Sequence, residues 1–371
     1  MTVGIESGGS DPADLADLGA RARRRASAAA LCGWLLMAEP GPELADQLGT
    51  LPSLSALGTP DAAVDFERIL LREVPPYESI FCSDDGRRGG PVAARVADTY
   101  TEIEFDEHTS GAWRAAGPDH LGLELRAHAH LIATEAAAWE SGRVDQAGDA
   151  VEAQRRFLAD HLALWAEIAL DALVEAAVDS PYLALFDAVR ELLHQEIDLL
   201  RPAPILDEAT LITEAAPVTT MGPGRLARHL LSTERSGIWL SRRAIATGAG
   251  RLGFPWRPMD GRANLRALIA AAADAGEIPD LIEPWRDLAE RTAKRYGERR
   301  IRQPGAALLW ASWEQRALVT AELLGHLGQI ALDPDADAEI VIRISGADPA
   351  HAIDLIEQAG YGVERLTDPP Q

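Results

Sequence analysis

Three histidines, His120, His128 and His130, lie close enough in the sequence to suggest a metal site. On a helix, however, positions 128 and 130 project about 200° apart, so their rings are badly placed to bind one ion together. The sequence also lacks the patterns of common catalytic centres, namely HExxH, a CxxC pair, GxSxG, a P-loop and GxGxxG after a strand. These observations predict a protein with no metal, no cofactor and no catalytic residues.

The composition favours a helical protein in a reducing compartment. Of the 371 residues, 47% are hydrophobic and 5% aromatic, and the abundance of Ala, Leu, Arg and Glu favours helix over strand. The two cysteines, Cys32 and Cys82, cannot form a disulfide framework. No apolar run in the sequence is long enough to span a bilayer. We therefore predict a cytoplasmic protein without stable membrane insertion.

A stretch near the start of the chain imitates a secretory signal. Arg23, Arg24 and Arg25 precede an apolar block at residues 26–38. An acidic segment lies upstream of the arginines, however, and no small-x-small cleavage site follows the block. We interpret the stretch as a buried first helix.

The charge is unevenly distributed along the chain. The formal net charge is −23, yet residues 216–316 carry 17 Lys or Arg against 10 Asp or Glu. An acidic body disfavours nucleic acid as its partner and favours a cationic one, although solubility alone could also explain the charge. The basic segment could contact the acidic body, a phosphate-bearing cofactor or anionic lipid.

Hydrophobic periodicity predicts helices along most of the chain. They are expected near residues 12–37, 43–48, 60–71, 91–100, 118–140, 149–178, 181–200, 224–231, 236–248, 261–275, 278–296 and 304–331. The tandem prolines of the segment 74–81 predict an extended piece. The end of the chain alternates differently, with strands expected at 339–344 and 361–366 around a helix at 348–359.

These elements divide the chain into four predicted parts. They are a disordered tail at 1–12, a helical domain at 13–205, a basic helical extension at 216–332 and a small β-α-β tail at 338–371. The predicted fold class is therefore all-α, with the tail as a minor addition.

Four motifs in the helical domain resemble the TorD/DmsD/NarJ family of chaperones. They are the segment Val74-Pro75-Pro76-Tyr77-Glu78-Ser79-Ile80-Phe81, the segment Pro118-Asp119-His120-Leu121 with Glu124, the pattern of Phe157, Leu158, His161, Leu162 and Trp165, and the segment Ser180-Pro181-Tyr182. The resemblance covers about residues 20–200 and keeps the family's order and approximate spacing. It implies an all-α fold and a cytosolic chaperone that is not an enzyme.

The resemblance also implies a partner and a site. The partner would be the apo catalytic subunit of a molybdenum-cofactor oxidoreductase, bound directly or through its twin-arginine signal peptide until the cofactor is inserted. A peptide groove would be bordered by Pro76, Tyr77, Glu78, Ser79, Asp119, His120 and Glu124. The chaperone would act as a monomer or homodimer and would not bind nucleic acid.

The proposed site residues could equally have structural roles. Asp119 and Glu124 lie about 140° apart on an ideal helix, so they could flank a groove but could not grip one guanidinium together. Asp119 could simply cap a helix, His120 could bridge two helices, and Tyr77 could fill the core. An alternative function is a helical protein that binds a small molecule, or acts on one, through the 216–332 extension. Within that extension, Ser241-Arg242-Arg243-Ala244-Ile245 looks like the start of a twin-arginine motif, but we favour an ordinary helix beginning near Ser236.

Overall fold

The computed structural model describes residues 12–49, 51, 54–83, 86–106, 117–201, 222–255, 261–327, 331–333 and 341–343. The chain forms two units, one of residues 1–79 and 89–203 and the other of residues 80–88 and 204–371. The predicted tail at 1–12 therefore lies almost wholly outside the described residues. The predicted domain limits stay predictions.

The first unit is built from helices. They are α1 (Pro12–Leu35), α2 (Pro42–Gln47), a 3-10 turn (Ser55–Gly58), α3 (Pro60–Asp65) with a π-type continuation (Phe66–Glu73), the start of α4 (Glu78–Cys82), α5 (Gly90–Glu102), α6 (Leu121–Glu140), α7 (Val144–Phe157) with a π-type continuation (Leu158–Leu162), α8 (Ala163–Ala176) and α9 (Tyr182–Leu200). The all-α class predicted for this part of the chain is confirmed.

Helices α1 and α6 cross closely because their contact face carries small residues. A Cβ added to Gly33 would lie 2.5 Å from the Gly122 carbonyl oxygen, and one added to Gly122 would lie 2.6 Å from the Gly33 carbonyl oxygen. At the other end, a Cβ on Gly19 would lie 2.8 Å from the Glu140 side chain. The two helices are therefore antiparallel, and the first turn of α6 is held against the last turns of α1.

The second unit has its own helices and core. The helices are α10 (Pro223–Leu231), α11 (Thr233–Ser236), α12 (Arg242–Arg251), α13 (Gly261–Ala275), α14 (Ile278–Arg302), a 3-10 turn (Pro304–Ala306) and α15 (Ala307–Leu327). The core gathers buried apolar residues from all the long helices, including Leu230, Ile245, Leu268, Trp285 and Leu324.

Two short strands are described after α15. Strand β1 (Ala331–Asp333) pairs antiparallel with β2 (Val341–Arg343), with Leu332 opposite Ile342. The predicted β-α-β tail is not supported: the strand within 339–344 pairs with an upstream segment that was predicted to end a helix. The helix predicted at 348–359 and the strand at 361–366 lie outside the described residues.

Two further predictions of elements were wrong. The segment 74–81 is extended only as far as Tyr77, because α4 begins at Glu78. The helix predicted at 236–248 is interrupted at Gly237, whose φ of 68° is left-handed. A new helix begins at Arg242, where the Ser241 side chain accepts a hydrogen bond from the Ala244 amide at 3.1 Å.

Candidate functional site

Two distant segments of the first unit meet in a single β-bridge. Tyr77 pairs antiparallel with His120, the Glu78 amide donates to the Asp119 carbonyl at 2.8 Å, and the Leu121 amide donates to the Pro76 carbonyl at 2.9 Å. The Tyr77 and His120 rings meet edge to face with centroids 4.9 Å apart. The structure therefore brings together the segments 76–79 and 119–124.

Each side of the bridge caps the start of a helix. His120 is the N-cap of α6, since its Nδ1 accepts a hydrogen bond from the Gly122 amide at 3.0 Å. The Asp119 Oδ2 atom accepts from the Ser79 amide at 3.0 Å and from the Ser79 hydroxyl. The Ser79 hydroxyl in turn accepts from the Gly89 amide at 2.8 Å. Asp119 thus binds the first turn of α4, and the neighbouring histidine caps α6.

Glu78 joins the bridge to two further helices. Its Oε1 accepts a hydrogen bond from Arg95 of α5 at 3.0 Å, and its Oε2 lies 2.9 Å from His161 Nδ1. The Nε2 atom of His161 lies 3.0 Å from the Thr99 hydroxyl. The sequence did not point to Arg95 or Thr99, and His161 was noted only as part of a family motif. The four-residue spacing of Arg95 and Thr99 was the available signal, since it places both on one face of α5.

Glu124, in the first turn of α6, is a buried acid close to the bridge. Its Oε2 accepts a hydrogen bond from Trp165 Nε1 at 3.1 Å. Burial, together with the nearby carboxyl groups of Glu78 and Asp119, raises the pKa of Glu124 well above its usual value. The buried site therefore favours the neutral form of the Glu124 carboxyl group over the ionised form.

All seven predicted site residues are buried. Tyr77 and His120 are each 4% exposed, Asp119 is 1% exposed, and Glu78, Ser79 and Glu124 are 0% exposed. Pro76 is buried as well. The sequence predicted that they border a groove, whereas the structure joins them in a hydrogen-bonded interior. Their contact with a peptide stays a prediction.

A second buried polar cluster lies around Arg25. Its guanidinium binds Glu196 through two hydrogen bonds of 2.8 and 2.6 Å and also reaches Glu135 at 3.0 Å and Gln154 at 2.9 Å. His128 Nε2 lies 3.1 Å from Glu196. Arg25, one of the three arginines that imitated a signal peptide, therefore ties α1 to α6, α7 and α9.

The candidate metal ligands do not converge. His128 faces Glu196, whereas His130 Nε2 lies 3.2 Å from the Ile103 carbonyl. Among the residues that the structure describes, no group of three His, Cys, Asp or Glu side chains is arranged to hold a metal ion.

Comparison with known proteins finds one family. Residues 36–171 match the family model of the nitrate reductase delta subunit. This part of the chain is similar to NarJ/TorD-type chaperones. The match confirms the resemblance, and it contains the bridge, α5, α6 and His161. The family consists of chaperones, so over the matched residues the prediction of a chaperone rather than an enzyme is confirmed.

No significant match was found among curated proteins or among solved structures. The NarJ/TorD-type match ends before α9, so residues 204–371 of the second unit have no counterpart in it. Within the described part of the chain, no helix is both long enough and apolar enough to cross a bilayer.

The twin-arginine-like stretch of the second unit is part of a folded helix. Ser241 is the N-cap of α12, and Arg242 and Arg243 are exposed on its first turn. Ile245 is 1% exposed and belongs to the core of the unit. The helix predicted near this stretch is thus present, although it begins later than expected.

Proposed function

We propose that this chaperone binds the apo catalytic subunit of a molybdenum-cofactor oxidoreductase in the cytoplasm and holds it until the cofactor has been inserted. The observation that carries the proposal is the match of residues 36–171 to the nitrate reductase delta subunit family. Binding would be stoichiometric, with no covalent bond made or broken.

We further propose that an arginine-bearing segment of this client docks at the bridge. The segment would be of the twin-arginine type, and Pro76, Tyr77, Glu78, Ser79, Asp119, His120 and Glu124 would form the floor of the docking region. Arg95 supports this idea because its side chain is 54% exposed while its partner Glu78 is fully buried. The path that the Arg95 side chain takes from solvent to Glu78 is one that a client guanidinium could take in its place.

Exchange of one guanidinium for another needs no new buried charge. If Arg95 swings into water and a client arginine replaces it, Glu78 keeps its charge-assisted hydrogen bond. The exchange by itself is nearly neutral in free energy, whereas a micromolar complex requires about 8 kcal/mol. Apolar burial of the client must therefore supply most of the affinity.

The exchange can be tested with a variant that strengthens binding. Removing the competing guanidinium by Arg95→Gln should raise the affinity of the full-length chain for a synthetic twin-arginine peptide by about threefold to tenfold, the effect of one partly exposed charged hydrogen bond. Isothermal titration calorimetry measures this affinity directly.

A matched control is Arg68→Gln. Arg68 is 47% exposed, pairs with Asp65 in the same unit, and is not part of the bridge, so its removal should leave the affinity unchanged. An affinity that falls or stays constant in Arg95→Gln would contradict the exchange, while a peptide that fails to bind the unsubstituted chain would contradict docking at the bridge altogether.

A further inference from the structure

The closed end of the hairpin formed by α14 and α15 exposes two large apolar side chains. Ile301, in the last turn of α14, is 80% exposed, and Leu308, at the start of α15, is 58% exposed. Only the short turn of residues 303–306 separates the two helices. We refer to residues 300–308 as the hairpin tip.

The hairpin tip lies in a locally basic part of an acidic protein. Residues 290–314 contain six basic side chains against three acidic ones. The basic ones are Arg291, Lys294, Arg295, Arg299, Arg300 and Arg302, and the acidic ones are Glu290, Glu298 and Glu314. Ile301 itself stands between Arg300, whose side chain is 48% exposed, and Arg302, which is 74% exposed.

Helix stability alone explains the charges but not the apolar side chains. Basic residues in the last turn complement the helix dipole, Arg300 pairs with Glu314 at 2.9 Å, and Arg302 pairs with Glu298 at 3.3 Å. None of these contacts requires an isoleucine in solvent. An aliphatic side chain exposed to this extent gains free energy only if it enters an apolar phase.

The tip is rigidly supported from within the unit. Trp310 is fully buried, stacks on Tyr296 with ring centroids 5.8 Å apart, and donates a hydrogen bond to Gln303 at 2.7 Å. The Arg299 guanidinium lies 5.1 Å from the centroid of the Trp310 ring. These contacts tie the turn to the interior of the unit, which lowers the ordering cost when its apolar side chains insert.

We propose that the hairpin tip binds the surface of an anionic lipid membrane. Ile301 and Leu308 would enter the boundary between headgroups and acyl chains, and the flanking arginines and Lys294 would bind lipid phosphates. Two protruding aliphatic side chains beside arginines suit a fluid interface, whereas a protein partner would need pockets matched to them.

The strongly negative total charge does not prevent this binding. At an ionic strength of 0.1 M the Debye length is about 10 Å, so only charges near the contact act on the membrane. Acidic surfaces elsewhere on the protein are repelled by an anionic membrane, so the basic hairpin tip is the surface that binds it. Binding should accordingly weaken with added salt, and it should require both the apolar and the basic groups.

Cosedimentation of the full-length chain with lipid vesicles tests the proposal. The chain should sediment with vesicles of phosphatidylcholine that contain one third phosphatidylserine, and not with vesicles of phosphatidylcholine alone. Ile301→Ser and Leu308→Ser should each lower the partition coefficient about tenfold, the effect expected for losing one inserted aliphatic side chain. Both positions are exposed, so circular dichroism should show an unchanged fold.

Leu199→Ser is the matched control, because Leu199 in α9 has the same 58% exposure as Leu308 but lies in the first unit. Its partition coefficient should equal that of the unsubstituted chain. Equal losses in all three variants, or no sedimentation with the anionic vesicles, would overturn the proposal. Binding to poly-glutamate without binding to vesicles would assign the tip to an acidic polypeptide and would overturn it as well.

Discussion

The buried carboxyl group of Glu124 opposes folding as the pH rises. Its folded pKa is raised well above its unfolded value by burial and by the neighbouring Glu78 and Asp119. The folded chain therefore binds a proton that the unfolded chain releases above about pH 4.5. The resulting loss in the free energy of unfolding is absent below about pH 4.5. It grows as the pH increases toward the folded pKa of Glu124.

Replacing Glu124 by Gln should remove this penalty. The amide is neutral at every pH and can still accept the hydrogen bond from Trp165. Urea unfolding measures the effect. At pH 4 the variant and the parent should have similar free energies of unfolding, and at pH 8 the variant should be the more stable protein. A parent that is the more stable protein at pH 8 would mean that Glu124 is ionised in the fold.

A neutral amide at Asp119 should instead destabilise the fold. Its Oδ2 accepts from the Ser79 amide and hydroxyl, and Asn could offer only one oxygen while placing a buried NH2 group where Oδ1 lies. Asp119→Asn should therefore lower the free energy of unfolding by about 1 to 3 kcal/mol, as measured by the same urea titration. A loss below about 0.5 kcal/mol would contradict the role of Asp119 in holding α4.

The bridge could be predicted from the sequence only in part. The meeting of Tyr77 with His120 was expected from the family resemblance. Their burial was not, because motif spacing does not report which residues cover a site. The position of Arg25 in an ionic cluster was also missed, since an arginine beside two others gives no periodicity that distinguishes a buried side chain from an exposed one.

At the scale of elements, the crossing of α1 and α6 positions the bridge. Gly122 is the second residue of α6 and its amide donates to His120 Nδ1, while its Cα faces Gly33. Any increase in the distance between the two helices would therefore move the N-cap of α6. The small residues of α1 are visible in the sequence, but the partner helix is not, because a stripe of Ala and Gly fits any close neighbour.

Gly33→Ala tests the crossing. The new Cβ would lie 2.5 Å from the Gly122 carbonyl oxygen, which is backbone and cannot rotate away. We expect a loss of about 1 to 3 kcal/mol in the free energy of unfolding from overpacking. The control is Gly148→Ala in α7, where no atom lies within 4 Å of the new Cβ; that substitution should stabilise the chain by up to about 1 kcal/mol. Equal effects of the two substitutions would contradict the close crossing.

Helix boundaries were predicted well where proline or a clear break marks them, as at Pro60 and Gly261. They were missed where a single residue changes the path of the chain. Gly237 is an example, because its left-handed φ ends α11 and a Cβ there would lie 2.5 Å from the Ala317 amide. Only the tertiary contact shows why a glycine is needed at that position.

At the scale of the whole molecule, the segment 80–88 belongs to the second unit although it lies within the sequence of the first. Ser79 belongs to the first unit, whereas Phe81 is fully buried and stacks on Trp239 of the second, with ring centroids 5.0 Å apart. The Ser232 hydroxyl also donates to the Ser83 carbonyl at 3.2 Å. Nothing in the composition of this segment indicates that it packs against residues 232 and 239.

Phe81→Ala should therefore destabilise the second unit in particular. Loss of a buried phenyl ring costs about 3 to 5 kcal/mol. Hydrogen exchange should accelerate in residues 222–255, with little change in α6. The neighbouring Cys82→Ala, at a half-buried position, should change exchange only slightly. Unchanged exchange in 222–255 for Phe81→Ala would contradict the assignment of this segment to the second unit.

The most direct measurement of the proposed function compares clients with and without cofactor. The tagged full-length chain would be purified from its own cells grown with or without molybdate, and its complexes would be measured by native mass spectrometry. The account predicts a complex with a molybdoenzyme catalytic subunit that is abundant without molybdate and scarce with it. Absence of any molybdoenzyme subunit, or equal recovery of the cofactor-loaded subunit, would contradict it.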